Sequence, residues 1–104
     1  MQTDLLAENI RKRFDHNQAK IILREKYASK MIFPYSEGMW RASPELITQC
    51  NLCIANGHLD PVLEDIYANP ILVNAEELKN LALERWQEQM NGWLVEFNEI
   101  AAQR

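Results

Sequence analysis

The fold is decided by residues 74–100, NAEELKNLALERWQEQMNGWLVEFNEI, which read as one long amphipathic helix. Asn74 can cap the helix, and Glu77 three residues later completes a pattern typical of a capping box. Apolar residues then recur at steps of three and four, a spacing that a strand cannot produce. This stripe consists of Ala82, Trp86, Met90, Trp93, Phe97 and Ile100, and Leu94 widens it.

Gly92 lies inside the predicted helix. A glycine there costs about 1 kcal/mol relative to alanine, and Asn-Gly is also a turn signal. The apolar stripe keeps the same phase on both sides of Gly92, so we expect a continuous helix with close packing at this position. At about 1.5 Å per residue the helix spans roughly 40 Å, whereas a compact domain of about 100 residues has a radius of gyration near 13 Å. We therefore expect one end of the helix to outrun its domain.

The apolar stripe needs a cover, because burial of such side chains stabilises a protein by roughly 1.5–3 kcal/mol each. Two covers are possible: the rest of the chain, or a second protomer or partner over the distal half. Aromatic residues and Met are favoured anchors in interfaces. The sequence predicts a protein that acts by protein–protein interaction or assembly, with a homodimer as the expected form. The candidate interface residues are Trp86, Met90, Trp93, Leu94, Phe97 and Ile100.

The first thirty residues predict a helical segment. Thr3 or Asp4 can cap it, and Leu6, Ile10 and Phe14 recur every fourth residue. Residues 15–17, Asp-His-Asn, are poor helix formers, and the apolar pattern resumes after them on a shifted face. We expect either a kink near residue 16 or two short helices.

The middle of the chain predicts short strands around one helix. Residues 31–42 favour a hairpin with Trp40 as a core anchor beneath it. Ser43-Pro44 predicts the start of a helix that runs to Asn56, with Gly57 as its left-handed terminator. Residues 62–73 predict two further strands around a turn at 68–70.

Together these elements predict a single domain over residues 1–104 of the helix-rich α+β class. It would combine an N-terminal helical segment, a small antiparallel sheet of short strands interrupted by a helix, and the long C-terminal amphipathic helix. With 47% hydrophobic and 25% charged residues, the composition argues against intrinsic disorder. The sequence has neither a membrane-spanning apolar run nor the pattern of a signal peptide, so we expect a cytoplasmic protein without membrane contact and with two reduced cysteines.

Charge is distributed unevenly along the chain. Residues 1–30 carry seven basic and four acidic side chains, whereas residues 75–104 carry three basic and six acidic ones. The basic end suggests an alternative function, a nucleic-acid-binding accessory protein, because Lys and Arg neutralise phosphates. The overall pI of about 5.1 and the complementary acidic helix favour neutralisation within the protein instead. The residues of the alternative are Arg11, Lys12, Arg13, Lys20 and Arg24.

Two groups of residues invite a chemical interpretation. Cys50, Cys53 and His58 match the first three ligands of a CX2CX4H zinc knuckle, but the fourth position holds Leu63. Both cysteines fall on the apolar face of a predicted helix, so we expect no metal. The acid–base candidates are His58, Asp60, Glu64 and Asp65, which we interpret as a solvated turn because no catalytic motif accompanies them. We predict no enzymatic activity and no cofactor.

Four stretches together resemble a family of small proteins of marine T4-like bacteriophages, of the cyanophage type, for which no activity is known. They are RKRFDHNQAK, GMWRASPELI, DIYANPILVNAEEL and RWQEQMNGWLVEF. The resemblance covers most of the chain. It implies a phage protein made in a bacterial cytoplasm, with a role in the virion or in host takeover, and it carries over no functional residues.

Overall fold

The computed structural model of the protein describes residues 2–102, which form three helices and two β-hairpins. The predicted helix-rich α+β class is confirmed. The strands form two separate two-stranded antiparallel sheets, β1–β2 and β3–β4, where the sequence predicted one small sheet. In chain order the elements are α1 (Gln2–Lys30), β1 (Ile32–Tyr35), β2 (Gly38–Arg41), α2 (Pro44–Ala55), β3 (Val62–Glu64), β4 (Pro70–Leu72) and α3 (Ala75–Ala102).

The start of α3 confirms the predicted cap and adds a third residue to it. The side-chain oxygen of Asn74 accepts a hydrogen bond of 3.0 Å from the backbone N–H of Glu77. In a capping box the Glu77 carboxylate would accept from the backbone N–H of Asn74. Here the hydroxyl of Tyr35 lies between the two: it accepts from the N–H of Asn74 at 3.3 Å and donates to Glu77 at 2.8 Å. The first hairpin is thereby fixed to the start of α3.

The first helix runs without a break from Gln2 to Lys30, so the predicted alternative of two short helices is wrong. Asp and Asn in a helix interior cost well under about 1 kcal/mol each relative to Ala. The packing of the following segment against α3, which buries Leu23 and Tyr27, outweighs that cost. The helix begins at Gln2, before the predicted caps Thr3 and Asp4, whose side chains lie outside the described part of the protein.

The core lies where the hairpins, α2 and the first half of α3 meet. Trp40 is 2% exposed, which confirms it as a core anchor, and its indole N–H donates to the carbonyl of Tyr35 at 3.0 Å. Helix α2 begins as predicted, with the Ser43 hydroxyl accepting from the N–H of Leu46, and Gly57 follows it with a φ of 79°. Fully buried side chains from α2 and α3 complete the core, among them Cys50, Leu78 and Ala82.

Asp65 connects the two hairpins, which corrects its interpretation as part of a solvated turn. It is 6% exposed, and its carboxylate accepts from the backbone N–H groups of Asn69 (2.9 Å), Tyr67 (3.0 Å) and Met39 (3.1 Å). The first two bonds close the β3–β4 turn and the third reaches β2. Burial by itself raises the pKa of Asp65, but these hydrogen bonds outweigh it and hold the pKa below its usual value.

Helices α1 and α3 run antiparallel and extend away from the core. The carbonyl of Lys30 accepts from Arg85, Tyr27 lies against Gly92, and the ammonium group of Lys20 lies over the ring of Phe97. Extending this alignment places the end of α3 near residue 15 of α1. Residues 5–14 therefore project beyond α3, and we call them the α1 projection. The molecule measures 69 × 24 × 20 Å. The second half of α3 extends beyond the core, as predicted, and α1, for which no overrun was predicted, extends further.

Candidate interaction surface

Three of the six predicted interface residues line an apolar groove between the end of α1, the start of α2 and the middle of α3. Trp86, Met90 and Trp93 are half-buried there. Trp86 and Met90 also pack against the core, so their inner edges belong to the fold and their outer edges remain accessible. The groove has a volume of about 360 Å³; α1 contributes Arg24, Tyr27 and Ala28 to it, and Met31 follows the end of the helix. We call it the Trp86–Trp93 groove.

The other three predicted interface residues lie toward the end of α3. Leu94 is 58% exposed. Phe97 is 37% exposed and is partly covered by Lys20, whose Nζ lies 5.7 Å from the ring centroid. Ile100 is half-buried beside the middle of α1. The six residues therefore form a stripe that the rest of the chain covers along one edge and leaves exposed to solvent along the other.

A second apolar stripe lies on α1, outside the predicted interface residues. Leu6, Ile10 and Phe14 are 62%, 59% and 62% exposed, and Ile21 is 51% exposed. At about 100° per residue, positions 10, 14, 21 and 28 share one side of α1. Ala28 lines the Trp86–Trp93 groove, so this side of α1 is the side on which the stripe of α3 lies. We call the two stripes together the open face.

An ion pair between α1 and α3 agrees with the predicted charge complementarity of the two ends of the chain. Lys26 Nζ lies 2.8 Å from a carboxylate oxygen of Glu96, and the Tyr27 hydroxyl donates to the same oxygen at 2.6 Å. The hydrogen bond to Glu96 raises the pKa values of Lys26 and Tyr27, and the hydrogen bonds from Lys26 and Tyr27 lower that of Glu96. The interaction sets the alignment of the helices, while the apolar stripes lie to one side of it.

The basic residues of the nucleic-acid alternative do not all share one side of α1. Arg11, Lys12 and Arg13 are consecutive in a helix, so their side chains leave it about 100° apart. Lys12 lies 3.7 Å from Glu8 on the same helix. The other two residues, Lys20 and Arg24, lie against Phe97 and in the groove. At about 100° per residue, Arg13, Lys20 and Arg24 share one side of α1, and Arg11 and Lys12 lie on other sides.

Cys50, Cys53 and His58 differ in their exposure to solvent. Cys50 has no exposed surface, and desolvation raises the pKa of its thiol to about 11. His58 is exposed, and its backbone N–H donates to the carbonyl of Cys53 at 2.8 Å. Within residues 2–102, no three side chains of His, Cys, Asp or Glu come close enough together to hold a metal ion.

The acid–base candidates do not converge on a pocket. His58, Asp60 and Glu64 are exposed, and the Asp60 carboxylate accepts from the Asn74 side chain at 3.5 Å. Asp65 uses its carboxylate for the turn. These residues define no arrangement for proton transfer.

Comparison with protein-family models, with curated proteins and with solved structures found no match for this chain. Among the described residues, no helix combines the length and the apolar character of a membrane span.

Proposed function

We propose that the protein functions by self-assembly and that its open face is the surface through which two copies associate. The single observation that carries this proposal is the exposure of the α1 stripe. Leu6, Ile10 and Phe14 are each about three-fifths exposed at regular helical spacing. A continuous row of large exposed apolar residues usually indicates an interaction site, because burial of these residues on association is strongly favourable.

The arrangement of the two helices supports the same proposal. Beyond the core, α1 and α3 form a single layer of two antiparallel helices, and each helix carries an apolar stripe toward the same side of the layer. Helical layers of this kind are stabilised when a second layer covers the apolar side, and two such pairs form a four-helix bundle. The open face of a second copy would supply that layer.

The resemblance to marine phage proteins is compatible with this proposal. Both a virion role and a host-takeover role require specific contacts between proteins. On this proposal, the dimer is the unit that enters either role, and the partner in that role would contact the dimer's remaining surface.

The test is the molar mass in solution, measured by sedimentation equilibrium over a wide range of protein concentration. We expect a dimer of about 24 kDa, twice the 12.2 kDa of the chain. Phe14→Glu and Ile10→Glu on the open face should shift the equilibrium toward the monomer, because each buries a charge in an apolar interface.

Leu5→Glu is the matched control. Leu5 is 60% exposed in the same α1 projection but lies on the side of the helix opposite Ile10 and Phe14. The control should leave the dimer intact. A wild-type protein that stays monomeric at millimolar concentration would refute the proposal, as would equal weakening by all three substitutions.

A further inference from the structure

We infer that the two copies pack antiparallel, with the α1 projection of each copy lying along the Trp86–Trp93 groove of the other. This inference rests on the proposed dimer and specifies its register. Its starting point is that the same side of α1 carries exposed apolar residues at one end and lines an apolar groove at the other. A two-fold axis between these ends places each projection on the other copy's groove.

The positions along α1 locate that axis. The open side of the helix runs through 7, 10, 14, 17, 21, 24 and 28, at alternating steps of three and four, the spacing of a helix that packs against another helix. An axis at residue 19 brings position 10 opposite 28 and position 14 opposite 24. The branched side chain of Ile10 then meets the small Ala28 of the second copy at the edge of the groove.

The same register gives Phe14 a suitable neighbour. Its ring, 62% exposed in the single chain, lies opposite Arg24, which lines the groove. An arginine guanidinium stacks favourably on an aromatic face. A parallel arrangement would instead place projection against projection and leave both grooves uncovered.

Charge complementarity selects this register over its neighbours. Arg11 and Glu25 are exposed and lie on the outer flank of the α1 stripe. In an antiparallel pair of helices with its axis at residue 19, these flanking positions face each other, so that Arg11 of each copy lies near Glu25 of the other. A shift by one heptad in either direction would pair Arg11 or Glu25 with the neutral Gln18. Of these three registers, the one with its axis at residue 19 therefore pairs Arg11 with Glu25, and it does so twice per dimer.

Charge reversal tests the register separately from the dimer. We expect Arg11→Glu and Glu25→Arg each to raise the dimer dissociation constant roughly tenfold, because each replaces two attractions by two repulsions. The double variant should restore the wild-type value, since the pair is then reversed. Lys12→Glu is the control: it changes the net charge as Arg11→Glu does, but from the side of α1 opposite the stripe.

Cross-linking supplies a measurement that does not depend on affinity. With Cys53 replaced by Ala and Cys50 buried, a cysteine at position 18 lies next to the two-fold axis and should be joined to its copy by a short bismaleimide. A cysteine at position 9 should not be, because position 9 lies ten residues from the axis and its two copies would lie about 30 Å apart.

The outcomes separate the two proposals. A dimer in which Gln18→Cys cross-links, Asn9→Cys does not and the double charge reversal restores affinity supports the register. A dimer in which both cysteines cross-link, neither does or the double variant stays weak overturns the register while the proposed function stands. A monomer at all concentrations overturns both.

Discussion

The ring of Tyr27 lies directly against the backbone of Gly92, so that a Cβ atom at position 92 would lie 3.1 Å from the ring carbon Cε1 and 3.2 Å from the hydroxyl oxygen. This contact confirms the expected close packing at Gly92. It also explains why a glycine occurs in the middle of α3: it lets the two helices approach where Tyr27 donates its hydrogen bond to Glu96.

The first prediction concerns this contact and uses a double-mutant cycle. Alanine is favoured over glycine in a helix by about 1 kcal/mol. In wild-type protein we expect Gly92→Ala to gain less than this, or to lose stability, because the ring of Tyr27 must move. In a Tyr27→Leu background, which removes the contacting ring atoms, the full gain should appear. Urea denaturation measures the four free energies of unfolding, and identical effects of Gly92→Ala in both backgrounds would show that the contact imposes no constraint.

The second prediction concerns the Tyr35 hydroxyl. Tyr35→Phe leaves the backbone N–H of Asn74 without its acceptor and the Glu77 carboxylate without its donor. We expect the free energy of unfolding to fall by about 1 kcal/mol, the usual contribution of such a hydrogen bond. Tyr67→Phe is the control because that side chain is 67% exposed. Equal urea midpoints for the two variants would contradict the role of Tyr35 in capping α3.

The third prediction concerns acid stability. The pKa of Asp65 is lowered in the folded protein, so the stabilisation that it provides is fully present above the unfolded value of about 3.9 and is lost as the pH falls through the folded value. Asp65→Asn should lower the melting temperature at neutral pH and should flatten its decline below about pH 4. Thermal unfolding followed by circular dichroism measures both effects.

Glu64→Gln is the matched control for Asp65, since Glu64 is the exposed neighbouring carboxylate. Its effect on the melting temperature should be small at every pH. If Asp65→Asn and Glu64→Gln behave alike, the three backbone hydrogen bonds of Asp65 do not contribute measurably to stability.

The fourth prediction concerns thiol reactivity. Because Cys50 is fully buried and its pKa is raised to about 11, a maleimide at pH 7 should label Cys53 and leave Cys50 unlabelled in folded protein. In urea both cysteines should react. Peptide mass analysis identifies the labelled residue, and rapid native labelling of Cys50 would mean that the core opens near α2.

The elements that were predicted correctly are the ones specified by local chemistry. Asn74 and Ser43 cap helices through side chains that accept from N–H groups three residues away, so a short stretch of sequence is enough to predict their roles. Gly57 ends α2 through its own backbone conformation. Caps and terminators of this kind require no knowledge of the tertiary structure.

The features that the sequence could not provide depend on distant partners. Asp65 reads as a turn residue, and its burial arises only because β2 places the N–H of Met39 against it. The helical spacing of Leu6, Ile10 and Phe14 was evident, but the side on which they lie depends on how α1 aligns with α3 at Tyr27 and Gly92. The α3 half of the open face was therefore identified from sequence, and the α1 half was not.

The α1 projection has a consequence for how the protein responds to its own abundance. An isolated helix of about ten residues is marginal in water, because nucleation is costly and few tertiary contacts offset it. If the projection is held in place by a second copy, its backbone amides should exchange hydrogen quickly in dilute solution and slowly in concentrated solution. The amount of ordered helix would then report the concentration of the protein, and newly made chains would remain open to proteases until enough of them had accumulated to pair.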